Sequence, residues 1–310
     1  MIETLPESIR ALYPFKPNWV KSGNYRLHYV DEGPRRPDAV VLPHGNPTWG
    51  FLYRNIVPPL VAAGHRVIVP DHLGSGRSDH AIHEGEYAIA HHAARLRQIL
   101  ETAGVERAVF FLQDWGGPIS FGACLAKPGL LAGMVLGNTF WGAASDFHRR
   151  VYPWRGLHAP IAGPLLFGRR RVFIDGAKLG MPKSSHEGAV WAGFRLPFDI
   201  TPGPGATLAW PRAISLGPGH PTQPLADAIW AAMPQMDVPT RFVWGASDPV
   251  FPWEEQGLAM QARLPRAREH APTIVKEARH FVQEWAPRQC ADALLAVAEE
   301  AFSRKVSHGR

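Results

Sequence analysis

The chain has 310 residues, 45% hydrophobic and 19% charged, the balance of an ordinary folded protein. That length suits one large domain carrying an insertion. The formal charge is +6, but the arginines are scattered, and the run from Arg169 to Arg171 has no interleaved aromatics, which argues against nucleic-acid binding.

No apolar run reaches the length of a membrane span, and the opening MIETLPESIRALYPFKP lacks the basic start and apolar stretch of a signal peptide. A cytoplasmic protein without membrane contact is expected. Cys124 and Cys290 lie far apart, with neither metal spacing nor a disulfide framework, so a reducing compartment fits.

In chain order, residues 17–31 alternate as a hairpin. AVVLPHG (39–45) reads as a buried strand, and a helix is predicted over 51–63. HRVIVPDHLGSGRSD supplies another buried strand and a glycine-rich turn. A helix follows over 87–103, then the strand AVFFLQD, the helix GGPISFGACLAK and the strand LAGMVLGNTF. Such alternation predicts an α/β domain with a mainly parallel sheet and helices on both faces. From 141 to 218 it breaks into a segment rich in Pro, Gly, Trp and Arg; Trp141, Trp154, Trp191 and Trp210 make it too aromatic for disorder. Strands resume at 239–249 and 272–280, and a helix closes the chain over 287–302. The expected organisation is a core of 1–139 and 219–310, interrupted by a helical cap at 140–218.

Sites in open α/β sheets form at the carboxyl ends of the strands. The polar residues there are His44, Asn46, Asp71, Asp114, Asn138, Asp248 and His280. Nucleophile, acid, histidine is the chain order of α/β-hydrolases, which would make Asp114 the nucleophile, Asp248 the acid and His280 the base. Each has a bland reading: Asp114 as a helix N-cap, Asp248 as an Asp-Pro turn, His280 as a core histidine. Gly116 and Gly117 favour a tight elbow at Asp114.

A carboxylate nucleophile is ionised at neutral pH, so the histidine is free for a second step. Attack on carbon gives an alkyl-enzyme ester, and a water deprotonated by His280 hydrolyses it. Asp248 would orient the imidazole, and the backbone N–H groups of Asn46 and Trp115 would form the oxyanion hole. A departing halide needs no proton, only N–H donors in an apolar pocket; the Trp115 indole and the Asn46 amide supply them. An epoxide would need acids on its leaving oxygen, usually cap tyrosines, and this cap has only Tyr152.

HGNPTW (44–49), DHLGSGRSD (71–79), QDWGGPI (113–119), GASDP (245–249) and HFVQEWAP (280–287) together resemble a haloalkane dehalogenase over about two thirds of the chain. The resemblance implies the α/β-hydrolase fold, Asp114 as nucleophile, His280 as base and Asn46 with Trp115 as the halide pair. Some members carry a glutamate acid at the position of Asn138, so the acid falls to Asp248. The resemblance is to the branch with an Asp-His-Asp triad and an Asn-Trp pair. Arg279 departs from the family, which usually has glycine before the histidine.

GSGRS (74–78) lacks the Lys of a P-loop and the third glycine of a dinucleotide site, so it reads as a structural turn. His91 and His92 point in different directions on a helix and make no metal pair. The cap tryptophans read as packing residues rather than halide ligands. No cofactor or metal is expected; the partners are a small halogenated substrate and its halide product. The expected activity is hydrolytic dehalogenation, with epoxide hydrolysis by the same nucleophile as the alternative. A third reading is a non-catalytic binding protein of the same fold.

Overall fold

A computed structural model describes residues 2–143, 170–200 and 205–303. Eight strands form one sheet: β1 (Pro17–Ser22), β2 (Tyr25–Glu32), β3 (Asp38–Val41), β4 (Val67–Pro70), β5 (Arg107–Asp114), β6 (Leu131–Thr139), β7 (Thr240–Gly245) and β8 (Thr273–Val275). Their spatial order is β1-β2-β4-β3-β5-β6-β7-β8. The β1–β2 and β2–β4 pairs are antiparallel; every pair from β4 onward is parallel.

The near-continuous apolar runs of β3 to β6 follow from burial on both faces. Alternate side chains enter two different cores. Val41, Phe110, Leu112 and Leu136 face α3 (Ile89–Thr102) and α4 (Gly116–Leu125). Val40, Val109, Phe111 and Val135 face α2 (Val57–Ala62) and α11 (Pro287–Ser303). Helices α3 and α11 match the predicted spans closely.

Two expected elements differ. The helix predicted over 51–63 is split into a 3-10 turn, Gly50–Tyr53, and α2. Pro58 and Pro59 lack the backbone N–H and fit only a first helical turn, so the helix starts beside them. The strand predicted over 272–280 is only three residues long, so His280 sits on a loop beyond β8, just before α10 (Val282–Trp285).

Between β6 and β7 the described helices are α5 (Arg170–Ala177), α6 (Gly188–Ile200), α7 (Gly205–Arg212) and α8 (Gln223–Ala232). Three indole N–H groups tie this segment to the loops and helices around the sheet. Trp49 donates to the Gly193 carbonyl (2.9 Å), Trp285 to the Gly180 carbonyl (3.0 Å) and Trp210 to His92 Nε2 (3.0 Å). An aromatic-rich segment is thus docked by hydrogen bonds as well as by buried area. Tyr152 and Trp154 lie outside the described residues, as do the side chains of Arg169 to Arg171. Among the described residues, no helix is long and apolar enough to cross a membrane.

Candidate active site

Asp114 is the last residue of β5 and has φ +49°. The chain turns there directly into α4, an elbow possible only because glycines surround it. A Cβ on Gly45 would strike the Asp114 carboxylate, and one on Gly116 would strike the Pro43 carbonyl. Thr139 Oγ1 donates to the Asp114 carbonyl at 2.8 Å and fixes the elbow against β6. The carboxylate makes no cap bond to α4, so the N-cap reading fails. Its Oδ1 instead accepts the backbone N–H of Asn46 at 2.6 Å.

The other carboxylate oxygen faces His280, with Oδ2 and Nε2 3.6 Å apart. On the far side of the ring, Nδ1 lies 3.0 Å from Asp248 Oδ2. Asp248 also makes the turn expected of Asp-Pro, its Oδ1 accepting the Val250 N–H at 2.8 Å. Asp114, His280 and Asp248 are each only about 5% exposed. Burial works against the imidazolium, but the charge of Asp248 and the hydrogen bonds and charge of both carboxylates outweigh it, so the His280 pKa is pushed up to about 10.

Asn138, the position without a charged acid, has a different part. It also has a positive φ, +48°. Its Nδ2 donates to Asp248 Oδ2 at 2.9 Å and to the Gly245 carbonyl at 3.1 Å, while its Oδ1 accepts the Gly245 N–H at 2.8 Å. Asn138 therefore locks the loop after β7 and supports Asp248. Its place at a strand end was the available sequence signal; its partner, 110 residues away, was not.

A cavity of about 320 Å³ opens onto Asp114. Asn46, Trp115 and His280 join Asp114 in its wall, and Ile214, Val250, Phe251 and Phe281 make the rest largely apolar. Trp115 is nearly buried and packs edge-on against Phe140 and Trp210. Its indole N–H has no hydrogen-bond acceptor among the described residues. The Asn46 amide makes one long bond, 3.5 Å, to the Thr207 carbonyl of α7, which turns the amide toward the segment above the sheet. Of the two expected oxyanion donors, the Asn46 N–H already meets the carboxylate; the Trp115 backbone N–H makes no such bond here. No tyrosine lines the cavity among the described residues.

The remaining candidates fall outside this group. Asp71 is fully buried and accepts the N–H groups of Gly50 and Arg77 while pairing with His28 at 2.8 Å. Burial alone would raise its pKa, but His28, His44 and the Arg77 N–H hold it below the usual range. The GSGRS turn wraps it, as expected of a structural turn. His44 is saturated by the Gly45 carbonyl and the His72 N–H. His91 is exposed whereas His92 is buried on Trp210. No group of three His, Cys, Asp or Glu among the described residues is arranged to hold a metal. Arg279 is exposed and donates to the Leu179 carbonyl at 3.0 Å, so it fastens the segment above the cavity rather than bonding to His280. Sequence reasoning missed Gln113, buried between Leu112 and Asp114, whose Nε2 lies 3.2 Å from both His280 Nε2 and the His280 carbonyl.

Residues 38–172 match the family model for the alpha/beta hydrolase fold. The chain is 31% identical over 286 residues to haloalkane dehalogenase 2 of Mycobacterium tuberculosis, covering 92% of this chain and 95% of that protein. It belongs to the haloalkane dehalogenase family. The Psychrobacter cryohalolentis haloalkane dehalogenase is 28% identical over 278 residues, covering 88% of each chain. The crystal structure of haloalkane dehalogenase DbeA from Bradyrhizobium elkani superposes with a TM-score of 0.80 at 21% identity, covering 93% of this chain and 99% of that one. That likeness is one of fold.

Proposed function

We propose that this family member hydrolyses carbon–halogen bonds of small haloalkanes in two covalent steps. The supporting observation is the placement of Asp114: a buried carboxylate on an apolar cavity, between the Asn46 amide, the Trp115 indole and His280.

In the first step an Asp114 oxygen displaces halide from carbon. The C–O bond forms, the C–halogen bond breaks, and the electron pair leaves with the halide. The Asn46 side-chain amide and the Trp115 indole N–H receive the anion as its charge develops, where the apolar wall keeps water from competing. No proton is needed.

Alkylation also changes the base. While Asp114 is ionised, two carboxylates hold a proton on His280. Ester formation neutralises one of them, which favours release of that proton and frees Nε2. Asp248, steadied by Asn138, keeps the remaining hydrogen on Nδ1. His280 then takes a proton from water as the water oxygen bonds to the ester carbon of Asp114, with the Asn46 and Trp115 backbone N–H groups as the oxyanion hole. Collapse breaks the bond between the ester carbon and the alkoxy oxygen, and the departing alkoxide takes the proton back from His280. Alcohol, halide and one proton are the products.

We propose further that residues 140–218 act as the cap that closes the cavity; the three indole ties support this. The reading requires neither cofactor nor metal. The scarcity of tyrosine around the cavity weighs against an epoxide, whose leaving oxygen needs an acid. The test is halide release from brominated and iodinated alkanes of several chain lengths, with a simple epoxide as control. Halide with equimolar alcohol is the expected result; diol from the epoxide without halide would overturn it.

A further inference from the structure

Gln113 immediately precedes the nucleophile and is fully buried. Its amide nitrogen stands 3.2 Å from His280 Nε2 and 3.2 Å from the His280 carbonyl. The two N–H bonds of one carboxamide can serve both acceptors. A donor aimed at Nε2 is compatible only with a ring unprotonated there, the tautomer in which Nδ1–H donates to Asp248. Gln113 Oε1 is buried and has no hydrogen-bond partner among the described residues. Buried amide oxygens are rarely left so, because desolvation without a partner is costly.

Two neighbours therefore pull opposite ways at one nitrogen. The Asp114 carboxylate at 3.6 Å draws a proton to Nε2; the Gln113 N–H at 3.2 Å excludes one. In the ester the first influence is gone and the second remains.

We propose that Gln113 is a positioning residue for ester hydrolysis: its N–H holds His280 in the tautomer protonated at Nδ1, so that Nε2 is left unprotonated once Asp114 is esterified. This rests on the two-step reading above. Once Nε2 takes the water's proton, the contact becomes donor against donor. That repulsion favours passing the proton on to the departing alkoxide. Halide displacement, which uses no base, does not depend on Gln113.

Two measurements test it. The first is ¹⁵N-histidine NMR titration of His280 in an Asp114→Asn background, whose neutral side chain stands in for the ester. Adding Gln113→Met should raise the His280 midpoint by about one pH unit or more, since a donor to the neutral ring is lost, and the isosteric Gln113→Glu should raise it further, because its carboxylate adds its own charge to that loss. The second is rapid-quench turnover of 1-iodobutane in the Asp114 enzyme, with intact mass. Both Gln113 variants should keep the halide burst within about threefold of wild type and slow ester hydrolysis about tenfold or more, so that the alkyl-enzyme accumulates. An unmoved titration in both variants overturns the proposal, as does equal slowing of burst and hydrolysis. If the wild type releases no halide from iodoalkanes, the two-step reading fails and the hydrolytic role falls with it. The titration still decides separately whether Gln113 governs the ring.

Discussion

Asn138 and His280 share one oxygen. Nδ2 of Asn138 donates to Asp248 Oδ2 at 2.9 Å, and His280 Nδ1 meets the same atom at 3.0 Å. Asp248 is thus held from two sides, by the end of β6 and by the loop beyond β8. A hydrogen bond to a charged group contributes about 1.5–3 kcal/mol, so Asn138→Ala should slow ester hydrolysis on the order of 10- to 100-fold. Asp248→Asn removes the charge itself and should cost more, on the order of 10⁴-fold. Pre-steady-state kinetics on both variants check the ranking, and a larger loss in Asn138→Ala would contradict it.

Asp114→Ala is expected to release no halide while keeping the fold. His280→Phe is expected to go once and stop, leaving protein heavier by one alkyl group in intact-mass spectra. Unmodified His280→Phe protein, after long incubation with an alkane the wild type consumes, would exclude a covalent ester.

The raised pKa of His280 makes stability depend on pH. The folded group titrates at about 10, above its ordinary value. Its pairing therefore stabilises the fold fully below about pH 6.5, and this contribution is lost as pH rises through the folded value. In Asp114→Asn one carboxylate is gone and the folded pKa falls. Thermal melts of the wild type should lose more stability across this alkaline range than those of Asp114→Asn. Parallel curves would show that the Asp114–His280 pair carries no such linkage.

Trp115 and Trp210 should separate by phenotype. The Trp210 N–H is committed to His92, so Trp210→Phe leaves a buried ring nitrogen unpaired, at a cost of about 1–3 kcal/mol in stability. Trp115 lines the cavity and its N–H makes no hydrogen bond among the described residues, so in the proposed halide role Trp115→Phe should weaken halide binding with little change in melting temperature. Halide titration by tryptophan fluorescence, beside calorimetry, reads both. Loss of halide binding in Trp210→Phe at unchanged stability would reverse the assignment.

Arg279→Gly tests a contact at the edge of the cavity. Losing its bond to the Leu179 carbonyl frees that part of the segment above the cavity. Because Arg279 does not touch the base, the pH profile should stay put while KM for longer haloalkanes changes. A shifted profile would place its charge on His280 after all.

The features legible in the chain are local or periodic. Buried strands show as apolar runs, helices as periodic ones, and a carboxylate between a strand and two glycines marks an elbow. Asp114, Asp248 and His280 could be singled out because each follows an apolar run in hydrolase order. The helix over 51–63 failed locally too, because the proline pair restricts where a helix can begin. The tertiary structure decided what depends on contact between distant segments. Asn138 reads as an uncharged strand end until Asp248 arrives against it. Gln113 reads as one more core residue until His280, 167 positions on, places a ring nitrogen and a carbonyl on its amide. Trp210 reads as a packing residue, but its hydrogen bond exists only because α3 brings His92 to it. Hydrogen bonds are directional and short-ranged, so the partner and the angle, which exist only in the folded chain, decide what a polar side chain does.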